Sequence, residues 1–274
     1  MTRRTIVITG ASDGIGAAAA RRLSRNGHNV VVVGRSESKT AAVAEELDAD
    51  YFVVDYADLS QVRALAEKVR SEYPRIDVLL NNAGGMGTTI HFTPDGNEHT
   101  YQVNYLAPFL LTTRLLEVLL DSRATVVNTT SSSHRLVFRA TVDDLENTAR
   151  HRPSTAYALS KLAIVLFTRE LHRRYHADGL SVATVHPGYV NSNFGPASGS
   201  RFLAFMARYT PTERFTATSD EGADQLVWLA SSTPGVDWTP GEYYSRRKIA
   251  KANRLAYDPR LARDLWDRTL AKIA

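Results

Sequence analysis

Short apolar runs and longer stretches with apolar residues at helical spacing alternate along the whole chain. The first run, Thr5-Ile6-Val7-Ile8-Thr9, is rich in β-branched residues and closed by Gly10, and Ala17 to Arg25 then has helical character. Further strands are predicted over Val30–Val33, Tyr51–Val54, Asp77–Asn81, Ala124–Thr129, Leu180–Val185 and Gly241–Tyr244. Between them the spacing predicts helices over Ser38–Leu47, Leu59–Glu72, Asn97–Leu120, Ser154–Asp178 and Glu221–Ala230, with a tail helix from Pro259 to about Lys272. Pro108 is expected to kink the helix that starts at Asn97. The strand runs are apolar throughout, as strands covered on both faces are, so the pattern predicts an α/β protein built on one doubly wound parallel sheet. No internal repeat, low-complexity tract or linker interrupts it, and 1–274 reads as a single domain, with 189–218 expected to be a lid over substrate and 258–274 a C-terminal helix.

Composition narrows the chemistry. At 43% hydrophobic over 274 residues, the chain can bury a substantial core. The 33 basic and 29 acidic residues give a net charge of +4, scattered rather than gathered into a stripe with interleaved aromatics, so nucleic acid is not the expected partner. Cysteine is absent, which excludes disulfides and thiolate catalysis, and the eight histidines show no metal-ligand spacing, so no metal is expected. The apolar run after Arg3 and Arg4 is too short for a membrane span or a signal-peptide core, and the expectation is a cytoplasmic protein without a membrane anchor.

Two motifs carry chemistry. The turn Thr9-Gly10-Ala11-Ser12-Asp13-Gly14-Ile15-Gly16 joins the first strand to the first helix. Its glycines permit close backbone approach, and the helix N-terminus behind it presents free N–H groups and a positive dipole end to a pyrophosphate. Within the helix from Ser154, Tyr157 and Lys161 stand at i and i+4 and share one face. A phenol beside a fixed ammonium is an acid/base device, because the positive charge favours the phenolate.

With these motifs in order, the chain resembles the short-chain dehydrogenase/reductase family nearly end to end. The resemblance rests on the Thr9–Gly16 turn, Asn81-Asn82-Ala83-Gly84 after the fourth strand, Asn104 in Val103-Asn104-Tyr105-Leu106, Ser131 after the fifth strand, Tyr157 with Lys161, and Pro187-Gly188 after the sixth. The 26-residue spacing from Ser131 to Tyr157, the run Ser160-Lys161-Leu162-Ala163, and Gly241-Glu242-Tyr243-Tyr244 followed by Leu265-Trp266 resemble the retinol-dehydrogenase-like branch. The resemblance implies a Rossmann fold and a nicotinamide cofactor. It implies that Tyr157 is the general acid/base, that Lys161 keeps its phenol near neutral pKa and binds the nicotinamide ribose, that Ser131 orients the substrate oxygen, and that Asn104 holds a water linking Lys161 to solvent. Cofactor contacts are expected from Gly10, Ser12, Asp13, Gly14, Ile15, Gly16, Asn82, Ala83, Gly84, Pro187, Gly188 and Val190, with Asp55 at the adenine. A homo-oligomer formed through the helices from Asn97 and Ser154 is compatible with the family.

The end of the second strand selects the cofactor. A carboxylate there would bind a ribose 2′-hydroxyl and repel a 2′-phosphate, but this strand ends in Gly34 followed by Arg35 and Ser36, so NADP(H) is expected. Asp13 stands where many NADP-dependent relatives carry a basic residue, and capping the helix is its other reading. The substrate is expected to be a small, lipophilic carbonyl or alcohol, because Tyr189 to Phe215 carries six aromatics; Arg201, Arg208 and Arg214 leave room for a carboxylate. Imine or activated-alkene reduction would use the same donors. A non-catalytic dinucleotide sensor or scaffold would not need Ser131, Tyr157 and Lys161 together.

Overall fold

Strands β1 (Thr5–Thr9), β2 (Asn29–Gly34), β3 (Tyr51–Val53), β4 (Val78–Asn81), β5 (Thr125–Thr129), β6 (Ser181–His186) and β7 (Tyr243–Ser245) pair in parallel. An eighth strand, β8 (Lys248–Ile249), adds antiparallel to β7 and gives one sheet in the order β3-β2-β1-β4-β5-β6-β7-β8. A computed structural model describes residues 3–188 and 218–273; Val190 and the Tyr189–Phe215 lid expectation lie outside them. The order reverses between β1 and β4, and ligands of open α/β sheets bind at the carboxyl ends of the strands beside such a switch.

Alternation along each strand divides the core. Ile6, Ile8, Val30, Val32 and Leu80 face one side with α1 (Gly14–Arg25), α2 (Glu37–Leu47) and α9 (Ser219–Ser231). Val7, Val31, Val33, Leu79 and Val126 face the other, with α3 (Leu59–Glu72), α5 (Ala107–Arg114), α8 (Pro153–Tyr175) and α10 (Pro259–Ile273). Each fully buried Val, Ile or Leu contributes about 1.5–3 kcal/mol, which is why uninterrupted apolar runs were needed to build the middle strands.

Three expectations change. β3 is an edge strand of three residues with Tyr51 43% and Val53 46% exposed, so it is not covered on both faces as its apolar run implied. β8 makes the sheet mixed at its other edge. The single helix expected over Asn97–Leu120 is instead α4 (His99–Tyr101), a π-helical turn Gln102–Leu106, α5 and α6 (Leu116–Asp121). Across that wide turn Ala107 N–H bonds to Gln102 O, five residues back. Pro108 follows in the first turn of α5, where it brings no N–H, so the carbonyls of Val103 and Asn104 lose the donor position 108 would otherwise supply.

The last helix seals one face. Trp266 of α10 sits 4.9 Å from Phe109 and 5.7 Å from Phe167 between ring centroids, and Thr269 shares a 2.8 Å hydrogen bond with Tyr105. On the face of α5 and α8 that carries these aromatics, α10 is the partner, and no second copy of the chain is needed to bury it. No helix among the described residues is long and apolar enough to cross a membrane.

Candidate active site

Glycine is required at the turn after β1 because the backbone there is both twisted and crowded. Gly10 has φ +66° and Gly14 φ +54°, values that side chains disfavour. A Cβ on Gly10 would lie 2.8 Å from Ala83 Cα, and one on Gly16 only 2.1 Å from Gly10 O. Thr9 ties this turn to the end of β4, since its hydroxyl accepts from Asn82 N–H at 3.0 Å and Ala83 N–H at 3.1 Å while donating to Leu80 O. Asn82 Nδ2 donates to Thr9 O at 3.2 Å. Asp13 is the N-cap of α1, accepting from Gly14 N–H at 2.7 Å, so the capping reading of that residue holds. Its other oxygen receives Lys39 Nζ at 2.7 Å.

Beneath the strand ends runs a buried polar ladder. Asn81 and Asn128 are register partners on β4 and β5, and Asn81 Nδ2 donates to both Asn128 Oδ1 and Thr112 Oγ1 at 2.9 Å. Asn128 Nδ2 donates in turn to Thr168 Oγ1 of α8 at 2.9 Å. Buried amides cost free energy unless paired, and this chain of bonds links β4, β5, α5 and α8.

On α8 the helical spacing brings Lys161 Nζ to 5.8 Å from the Tyr157 ring centroid. Lys161 is 3% exposed, and its ammonium donates to Thr129 O at 3.2 Å. Burial of that charge drives its pKa down to about 8. Burial likewise pushes the Tyr157 phenol up to about 12, while its hydrogen bond with the Ser131 side chain pulls the other way. Desolvation is the larger of these two influences on the phenol. Of the polar run 129–133, Ser131 is the residue that reaches Tyr157; the Thr130 hydroxyl donates instead to Lys161 O at 2.8 Å.

Asn104 projects from the π-helical turn. Its amide donates to Gly85 O at 2.9 Å and Ser160 Oγ at 3.0 Å, and its oxygen accepts from Gly85 N–H at 2.8 Å. A Cβ on Gly84 would lie 2.7 Å from Asn104 Oδ1 and 3.2 Å from Lys161 Nζ, so Gly84 leaves a bare backbone surface beside the ammonium. Pro187 and Gly188 follow β6, with Gly188 at φ +96°. At the outer corner, Gly34 packs so closely on the turn that a Cβ would lie 2.7 Å from Ser12 Cβ. Arg35 is exposed beside it, and Ser36 is the N-cap of α2 without making a side-chain cap bond. Asp55 closes a local turn by accepting from Ala57 N–H at 2.9 Å. No His, Asp or Glu group among the described residues is arranged to hold a metal.

These residues gather at the carboxyl ends of β1, β2, β4, β5 and β6, and the short chain dehydrogenase model matches residues 4–200. The chain belongs to the short-chain dehydrogenase/reductase family. Within it, a Streptomyces sp. (strain C5) protein carrying the provisional name daunorubicin C-13 ketoreductase is 40% identical over 98% of this chain and 92% of its own length. Retinol dehydrogenase 14 of Mus musculus is 34% identical, over 97% and 85%. A crystal structure from Mycobacterium paratuberculosis superimposes with TM-score 0.78 at 32% identity, covering 99% of this chain and 94% of that one. One from Escherichia coli CFT073, titled as a short chain dehydrogenase complexed with NADPH, gives TM-score 0.67 at 28% identity, covering 85% and 92%. The chain is thus a dehydrogenase/reductase of the retinol-dehydrogenase-like branch, an oxidoreductase acting between carbonyl and alcohol with a nicotinamide dinucleotide. The residues present fit that cofactor: the Gly10–Gly16 turn is a cradle that a Cβ would fill, and Lys161 presents a buried ammonium beside the bare backbone of Gly84.

Proposed function

We propose that this dehydrogenase is an NADP(H)-dependent ketoreductase acting on a small lipophilic carbonyl compound, with Tyr157 as its acid/base. The observation that carries the reading is the Ser131–Tyr157–Lys161 arrangement, a hydrogen-bonded hydroxyl pair beside a buried ammonium at the strand ends. When bound, the cofactor supplies or accepts the hydride. The Gly10–Gly16 turn and the α1 N-terminus hold the pyrophosphate, and Asn82, Ala83, Gly84, Pro187 and Gly188 line its course. Asp55, on this reading, is the contact at the adenine.

Ser131 fixes the carbonyl oxygen, and Tyr157 protonates the oxygen as negative charge develops on it. A phenol held near 12 is protonated throughout the neutral range, which suits it to donate in the direction of reduction. Lys161 binds the nicotinamide ribose and its charge stabilises the phenolate left behind. Asn104, fixed by Gly85 and Ser160, sits beside a stretch of helix whose carbonyls lack a donor from position 108, where a water can connect Lys161 to solvent.

For NADP(H), support comes from Gly34 and Arg35 in place of a strand-end carboxylate and from neighbours solved with NADP or NADPH. For a lipophilic substrate, support comes from the six aromatics of Tyr189–Phe215 and from relatives named for daunorubicin, polyprenol and retinol. The test is a panel of ketones and aldehydes assayed by loss of reduced-nicotinamide absorbance with NADPH and NADH. Ring-containing hydrophobic carbonyls should turn over fastest with NADPH; a preference for small polar ones would remove the lipophilic assignment, and a preference for NADH the cofactor assignment.

A further inference from the structure

Lys39 is oddly placed. It lies in the first turn of α2, where the helix dipole is positive and a cation is disfavoured. What holds it there is Asp13, 26 residues away across the mouth of the glycine turn, at 2.7 Å. Both side chains remain about half exposed, Lys39 at 56% and Asp13 at 49%. Next along the chain from Gly34 stand Arg35, exposed and with neither a hydrogen bond nor an ion pair among the described residues, and Ser36, whose hydroxyl lies 3.4 Å from Ser38 Oγ. Gly34 packed on Ser12 brings the end of β2 and the glycine turn together, so Arg35 and Ser36 follow directly on that contact, and Lys39 is tied to the same turn by its ion pair with Asp13. One anion is already in place there, and it is the carboxylate of Asp13.

Building on the NADP(H) reading above, we propose that Lys39 is a second ligand of the ribose 2′-phosphate and that Asp13 is its place-holder. The carboxylate keeps the ammonium extended and aimed while no phosphate is bound. The 2′-phosphate takes over Lys39, and Asp13 retains its bond to Gly14 N–H as the cap of α1. Selectivity for a phosphorylated ribose then comes from two cations, Arg35 and Lys39, reduced by one repulsive carboxylate. This accounts for an acidic residue in the glycine turn of a protein whose second strand ends as an NADP site does.

The alternative is that Lys39 only neutralises Asp13, and a double-mutant cycle separates the two. Calorimetric titrations of adenosine 2′,5′-bisphosphate and of 5′-AMP, which need no turnover, would be compared for wild type, Lys39→Ala, Asp13→Asn and the double variant. Asn keeps a cap oxygen for Gly14 N–H. Loss of an exposed charge-assisted contact should weaken the bisphosphate roughly tenfold in Lys39→Ala, and the loss should persist when Asp13 is already Asn. Asp13→Asn alone should tighten the bisphosphate more than it tightens AMP, AMP affinity should differ by less than about twofold between each Lys39→Ala protein and its parent, and Lys39→Arg should keep the preference. If Lys39→Ala has no effect in the Asp13→Asn background while wild type still favours the bisphosphate, the place-holder idea fails and the NADP(H) reading stands. If wild type binds AMP as tightly as the bisphosphate, both fall.

Discussion

Replacing Lys161 by Met should make this protein inactive and more stable at once. The ammonium is held at 3% exposure with its pKa lowered from 10.5 to about 8, so folding works against the protonated form by 2.5 units. At about 1.36 kcal/mol per unit, that is about 3 kcal/mol. Met matches the length of the side chain without the charge, but it removes the 3.2 Å bond to Thr129 O, which returns about 1 kcal/mol of cost. The net gain of about 2 kcal/mol corresponds to a rise in Tm of about 3–4 °C for a chain of this size. The pH dependence identifies the cause. Below pH 8 the lysine is protonated in both the folded and unfolded states and the full penalty applies; between 8 and 10.5 the folded protein has released a proton that the unfolded chain still holds, so the penalty shrinks as pH rises. Thermal melts of both proteins from pH 7 to pH 10 should show the advantage of the variant present at neutrality and gone by about pH 10. A variant that melts at or below the wild type at pH 7, or whose advantage ignores pH, would refute the reasoning.

Tyr157→Phe should lower turnover at least ~10²-fold while cofactor affinity, measured by fluorescence titration, stays nearly unchanged, because one hydroxyl leaves a site that is already formed. In Gly16→Ala the new methyl would meet Gly10 O at 2.1 Å and Asn82 Nδ2 at 2.7 Å; the turn must open, and dinucleotide binding should be lost before the fold is, as titration set beside circular dichroism will show. His134 and His186 are buried, and burial holds both near pKa 4 instead of 6.5. Their contribution, up to about 3 kcal/mol each, is present above pH 6.5 and is lost as pH falls toward 4, because only the unfolded chain takes up those protons. Urea midpoints of His186→Gln should fall less steeply across that range than those of the wild type, and equal slopes would remove His186 as a source of acid sensitivity.

Much of the fold could be read because its signals are local. The apolar runs of β1, β2, β4, β5 and β6 each announce an element within a few residues. Tyr157 and Lys161 were legible because one helix turn fixes their relation. What escaped depends on contacts distant in sequence. β8 is two residues long, with no periodicity to show. The π-helical turn at Gln102–Leu106 keeps the apolar spacing of an ordinary helix, so only hydrogen bonds reveal it. Thr9 reads as a strand residue until the end of β4 is brought beside it, and Lys39 as a surface lysine until Asp13 is. The depth at which Tyr157 and Lys161 lie was hidden for a related reason, since i and i+4 spacing says nothing about how far the pair is buried.

The Asn81–Asn128 pair gives the sheet a means of rejecting misalignment. Side chains alternate faces along a strand, so sliding β5 by one residue against β4 would turn the two amides to opposite sides: Asn128 would lose Asn81 and Thr168, and Asn81 would be left with Thr112. Sliding by two would set Asn81 opposite Val126 or Thr130, and the bond between the two amides would be lost. Neighbouring runs such as Thr125-Val126-Val127 and Val78-Leu79-Leu80 tolerate either slip on hydrophobicity alone, so the amides are what make the error costly. The pair thus acts as a checksum on the central strands: one alignment joins the two amides and carries the chain of bonds on to Thr168, and that alignment sets the carboxyl ends of β4 and β5 level.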